Sequence, residues 1–180
     1  MKKFIQNVSI IILFVSSTAI ADMIEPKDLG IVEAPVKGSL SLNLPDVPKH
    51  VLHTAEVAFK EHDGLAHLTG VVQLDQGEIL AIYEVQGKAS NGRLLEADIR
   101  PDGTLVELEI EIETSDVPNK VSAAISSLFA DFQLAEEKPA IEKSIRPSEN
   151  GLSEIWYEFS GTNFDVEVRS DAKALLVEPK

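Results

Sequence analysis

A chain of 180 residues with 30 Asp and Glu against 16 Lys and Arg carries a formal charge of −14 and a pI near 4.6. Such acidity repels phosphate backbones and excludes nucleic acid as a partner, leaving basic proteins and cations. There is no cysteine, so neither a disulfide nor a cysteine-linked lipid is available, and stability must come from burial.

The first residues, MKKFIQNVSIIILFVSSTAIAD, place Lys2 and Lys3 before an apolar stretch from Val8 to Val15 and small residues at Ala19 and Ala21. This order predicts a secretory signal over residues 1–21, cleaved after Ala21, and a periplasmic or secreted product. The apolar stretch is shorter than the roughly 20 residues a spanning helix needs, so no membrane insertion is expected after cleavage. The remaining 159 residues are ample, because a chain of about 150 buries roughly 70% of its unfolded surface. Residues 22–45 contain Pro26, Pro35, Pro45, Gly30 and Gly38 and read as an extended leader, with Ser39 to Leu44 alternating as an edge strand.

Asp46 is placed to cap a helix, with Pro48 inside its first turn and Val47, Val51, Ala55, Ala58 and Phe59 on one apolar face. The helix is expected to run to about Glu61 and to end near Asp63-Gly64. Four strands are predicted next, over Leu65–Leu74, Ile79–Gln86, Arg93–Arg100 and Leu105–Glu113. Turns at Asp75–Gly77, Ser90–Gly92 and Pro101–Gly103 separate them, with glycine supplying the positive φ of tight hairpins. The last strand puts Val106, Leu108, Ile110 and Ile112 on one face and Glu107, Glu109, Glu111 and Glu113 on the other, so one face packs and one is wet.

The stretch DVPKHVLHTAEVAF (Asp46 to Phe59) returns as DVPNKVSAAISSLF (Asp116 to Phe129) 70 residues later without a gap. Strands predicted over Ile141–Arg146, Leu152–Ser160, Asn163–Ser170 and Leu175–Glu178 follow it. Tyr83-Glu84-Val85 is echoed by Tyr157-Glu158-Phe159, and ADIRPDGTLVE by VEVRSDAKALL. The expected fold is therefore α+β, with two tandem repeats over residues 46–114 and 115–180. Each is read as a helix packed on an antiparallel sheet of about four strands, and the sequence leaves one continuous sheet and two equally open.

No residue set for chemistry stands out. His50 and His53 have a spacing that can bring two imidazoles to one metal, with Glu56 or Glu61 beside them. Without HExxH, a cysteine or a matching pair in the second repeat, they read as solvated helix histidines, and no metal or cofactor is assigned. Ser170 to Lys173 spells S-x-x-K but falls between strands and reads as a turn. Glu107, Glu109 and Glu111 read as a solvated strand face whose functional alternative is a docking surface for a basic partner. Trp156 and Tyr157 point to opposite faces, and Trp156 is the better candidate for an exposed anchor because Tyr157 shares a face with Phe159.

The helix, the hairpin and then Tyr83, Glu84, Val85, Asp98, Asp102, Gly103, Leu105 and Val106 resemble the PepSY and PepSY-like domains of exported bacterial proteins. The second copy matches through Tyr157, Glu158, Phe159, Val166, Val168 and Asp171, with Ala172 in place of the turn glycine. The tandem arrangement is similar to the β-lactamase-inhibitor-protein-like architecture. The resemblance implies an exported, non-catalytic module that binds another envelope or extracellular protein, as an inhibitor of a peptidase or other hydrolase among its forms. The alternative is a periplasmic binder of a small ligand or divalent cation.

Overall fold

Each repeat opens on Asp-Val-Pro, and the computed structural model, which describes residues 9–14, 32–33, 38–75, 82–136, 139–148 and 151–180, gives the tripeptide the same junction twice. A 3-10 turn, Leu44–Asp46 or Thr114–Asp116, leads into helix α1 (Lys49–His62) or α2 (Asn119–Leu128). The aspartates close the 3-10 turns instead of capping the helices: Asp46 accepts from the Asn43 amide at 3.1 Å, and Asp116 from the Glu113 backbone N–H at 3.3 Å. Pro48 and Pro118 stand at the helix N-caps, where a missing N–H loses no intrahelical bond.

The strands in chain order are β1 (Ser9–Phe14), β2 (Val32–Glu33), β3 (Gly38–Leu42), β4 (His67–Asp75), β5 (Ile82–Lys88), β6 (Leu94–Ile99), β7 (Leu105–Glu111), β8 (Ile141–Pro147), β9 (Ser153–Phe159), β10 (Phe164–Arg169) and β11 (Ala174–Pro179). The eight strands expected after the two helices are thus present. The expectation of two repeats, each a helix on an antiparallel sheet of about four strands, is overturned. All the strands join one antiparallel sheet in the order β2-β1-β11-β10-β9-β8-β7-β6-β5-β4-β3, nine of them from Gly38 onward. The reason lies at β7: a sheet ending there would expose a row of backbone donors and acceptors, and β8 takes that place.

Two compact units result, and neither is a contiguous segment. One comprises Pro35–Ile112 with Lys143–Glu154; the other comprises Met1–Ala34, Glu113–Glu142 and Ile155–Lys180. In the first unit α1 lies against β4 to β7 and buries Val51, Ala55, Ala58 and Phe59, which meet Val71, Val85, Leu95, Ala97, Ile99, Leu108 and Ile110. Ile145 of β8 packs against the same core. Gly87 makes room for Phe59, since a Cβ built there would lie 2.3 Å from the Phe59 ring. In the second unit the shorter α2 buries Val121 and Ile125 and lies against β10.

The expected signal contributes β1, which runs antiparallel to β11 with Ile11 opposite Val177. Its cleavage point after Ala21, most of the leader and the Asp75–Gly77 turn beyond Asp75 lie outside the described residues. No helix among the described residues is long and apolar enough to cross a membrane.

The hairpin turns use Gly92 (φ +88°), Gly103 (φ +88°) and Gly151 (φ +77°), but the β10–β11 turn forces Ala172 to φ +58°. A left-handed non-glycine residue costs roughly 1–2 kcal/mol, part of which glycine returns as chain entropy on unfolding. Ala172→Gly is therefore expected to raise stability by about 0.5–1 kcal/mol in urea unfolding.

Candidate functional site

Alternation along β5, β6 and β7 sends Val85, Gly87, Leu95, Ala97, Ile99, Leu108 and Ile110 toward α1 and the intervening carboxylates to the helix-free face. Register then sets like charges opposite each other: Glu84 faces Asp98, Glu96 faces Glu109, and Asp98 faces Glu107. Oxygens of Glu84, Glu96 and Asp98 all lie within 4.8 Å of one another. Charges of one sign placed directly across a ladder destabilise it. Three such oxygens supply part of the shell of a hard cation, which takes six to eight.

The predicted row Glu107, Glu109 and Glu111 occupies this face, but the three are not equivalent. Glu107 accepts from Arg146 Nε at 2.7 Å and from the Ser144 hydroxyl, which answers a side chain only 1% exposed. Glu111 accepts the Leu94 backbone N–H at 3.0 Å. Glu109 stands across from Glu96 and belongs with the carboxylate group.

In the second unit the same pattern recurs on the face away from α2. Glu158 faces Glu167 across β10, and Asp165 faces Glu178 across β11. Burial, then repulsion from Glu167, Glu142, Asp165 and Glu178, pushes the Glu158 carboxyl up to about 8. Lys180 Nζ lies 3.1 Å from Asp165. Aligning the repeats through Tyr83-Glu84-Val85 with Tyr157-Glu158-Phe159, and through Ala97-Asp98 with Val166-Glu167, matches Glu84, Glu96, Asp98 and Glu109 to Glu158, Asp165, Glu167 and Glu178. The cross-strand pairs coincide as well, Glu84–Asp98 with Glu158–Glu167 and Glu96–Glu109 with Asp165–Glu178.

Trp156, expected as the exposed member of its pair, is 7% exposed, and Tyr157 is 8% exposed. Trp156 stands opposite Arg169, whose guanidinium is held by Asp171 at 2.9 and 3.0 Å, a bond that keeps the Asp171 carboxyl down at about 2. Both faces of β9 bury an aromatic ring here, so alternation alone cannot choose an outward one.

His50 has a structural task. Its Nε2 lies 2.7 Å from the Pro101 carbonyl, while the Thr54 hydroxyl donates to the Gly103 carbonyl at 3.0 Å, so α1 clasps the β6–β7 turn. His53 is exposed. Ser170 to Lys173 forms the turn around Ala172. At the far end of α1 the Asp63 carboxylate accepts from both the backbone N–H and the hydroxyl of Ser90 at 2.6 Å, which holds its carboxyl below the usual range.

Among solved structures, a BLIP-like protein from Bacteroides fragilis is similar to this chain with a TM-score of 0.46 and 16% identity, covering 73% of this chain and 84% of its own. A protein of unknown function from Bacteroides vulgatus, described provisionally as periplasmic, is similar with a TM-score of 0.35 and 12% identity, covering 78% and 98% respectively. No protein-family model and no curated protein matches the chain.

Proposed function

We propose that this chain is an exported, non-catalytic protein-binding module whose carboxylate-lined sheet faces dock a basic partner in the envelope or outside the cell. Occlusion of a peptidase or other hydrolase is the form of docking that its resemblance to PepSY-like proteins favours. The observation that carries the reading is the carboxylate group on the helix-free face of the first unit, Glu84, Glu96, Asp98 and Glu109, set opposite one another by register; the second unit repeats the register, but its Glu158 keeps its proton up to about 8. Each like-charge pair across a ladder costs on the order of 0.2–1 kcal/mol, and a cationic surface laid over the quartet offsets that cost. Complementary charge also steers encounter and discriminates against acidic partners.

The test compares the purified chain with a Glu84→Gln, Glu96→Gln, Asp98→Asn variant as baits in envelope extract, in dilute buffer and with salt raised until screening shortens to about 3 Å. A basic protein retained by the parent chain, weakened by salt and weakened by the triple variant supports docking on this face. Retention that ignores both salt and the substitutions sinks it.

A second reading takes the same three carboxylates as a divalent-cation site. Calcium or magnesium that raises the melting temperature of the parent chain but not of the triple variant would favour it, since a ligand of the native state stabilises by mass action.

A further inference from the structure

The two repeats differ most under their helices. Phe59 in the first is fully buried against the space left by Gly87. Its counterpart 70 residues on is Phe129, yet in the second repeat the equivalent glycine, Gly161, receives Phe132: a Cβ there would lie 2.5 Å from the Phe132 ring. Phe129 instead leans on Phe164, with ring centres 5.3 Å apart, and Phe132 meets the same ring at 5.4 Å. Helix α2 also has 10 residues where α1 has 14. The displaced ring and the shortened helix leave a cleft of about 340 Å³ whose apolar walls include Ile125, Phe129, Phe132, Ile141 and Phe159.

The cleft is braced. The segment that follows α2 is fixed to the β9–β10 connection by the Leu134–Gly161 bridge, by Ala135 N–H donating to Ser160 O at 2.7 Å and by Thr162 N–H donating to Gln133 O at 3.0 Å. Packing therefore does not close the cleft simply by letting that segment drop. Among the described residues, the polar side chains on its lining are the hydroxyls of Thr114, Ser122 and Ser126, and none of the described lining residues is ionisable.

We infer that this cleft binds an uncharged, largely apolar small molecule carrying at most a hydroxyl or carbonyl at one end. Its volume lies at the lower end of the roughly 300–1,000 Å³ range of small-molecule sites, which suits a one- or two-ring or short alkyl compound. A chain of net charge −14 repels an anion, and the described lining residues offer a cation no counter-ion. The hydroxyls can meet a single polar end group without a buried charge. Phe159 lies on the α2 side of β9 and Glu158 on the other, so the cleft and the second carboxylate quartet occupy opposite faces of that strand.

Titration of the purified chain with the neutral two-ring dye 6-propionyl-2-(dimethylamino)naphthalene, which carries one carbonyl, read by its fluorescence, tests the site. Saturable binding of one dye per chain is expected, about tenfold weaker in Ser126→Trp, which plugs the mouth from the exposed side of α2, and unchanged in His53→Ala, an exposed position outside the cleft. Circular dichroism of Ser126→Trp shows that any loss is not unfolding, and Leu134→Ala, which trims the rim, should shift the affinity without abolishing it. An unsaturable signal, equal affinity for the plugged variant, or equal affinity for an anionic dye of the same size would each overturn the inference.

Discussion

Replacing Phe59 with alanine is expected to cost about 3–5 kcal/mol of unfolding free energy, the largest effect of any single truncation proposed for this chain. The ring is fully buried and joins α1 to the sheet at the one point where the facing strand has no side chain. Gly87→Ala should also be costly, by about 1–3 kcal/mol, because its new methyl must enter the volume the ring holds. With the ring gone that methyl partly refills the space, so the double variant should lose less than the two single losses together, by about 0.5–3 kcal/mol. Urea unfolding of the four proteins measures this coupling. Simple additivity would mean that something other than the ring fixes Gly87 as glycine.

The second large effect is a dependence on pH. In the unfolded chain the Glu158 carboxyl loses its proton near 4.5, whereas in the folded protein it does so at about 8. Between these values the folded state holds a proton that the unfolded state has released, so stability falls as pH rises across the window. This contribution is fully present below about 4.5 and is lost as pH climbs through 8, for a total on the order of 5 kcal/mol. Glu158→Gln cannot lose a proton, so it should flatten the difference in unfolding free energy between pH 5 and pH 8 and make the protein more stable at pH 8. An unchanged pH profile in the variant would assign the effect to other carboxylates.

Hairpin chemistry explains how much of the fold was readable. Each strand from β4 to β11 follows alternating apolar residues or ends at a turn containing glycine or its substitute, and these are local signals. The joining of β7 to β8 is not local, because α2 and the segment after it intervene, and edge pairing leaves no mark on either strand's composition. The same limit governs the carboxylates. The Glu107, Glu109 and Glu111 row could be seen within one strand, but Glu84, Glu96 and Asp98 come from two strands and meet only once register is known. A trace of them was present in the duplication itself, in the acid that follows each tyrosine of Tyr83-Glu84 and Tyr157-Glu158 and in the acid that follows Ala97 and Val166. Trp156 shows the opposite limit, where alternation assigned an outward side and the structure buries both sides of β9.

The membership of Lys143–Glu154 in the first unit has a consequence for how the chain matures. A ribosome that has delivered residues only to Thr114 has released every residue of the first copy but not the ribbon that completes its unit. That half must wait, with Ile145 missing from its core, until the middle of the second copy emerges. Cutting the chain after Thr114 would therefore leave the core of the first unit without the ribbon that completes it.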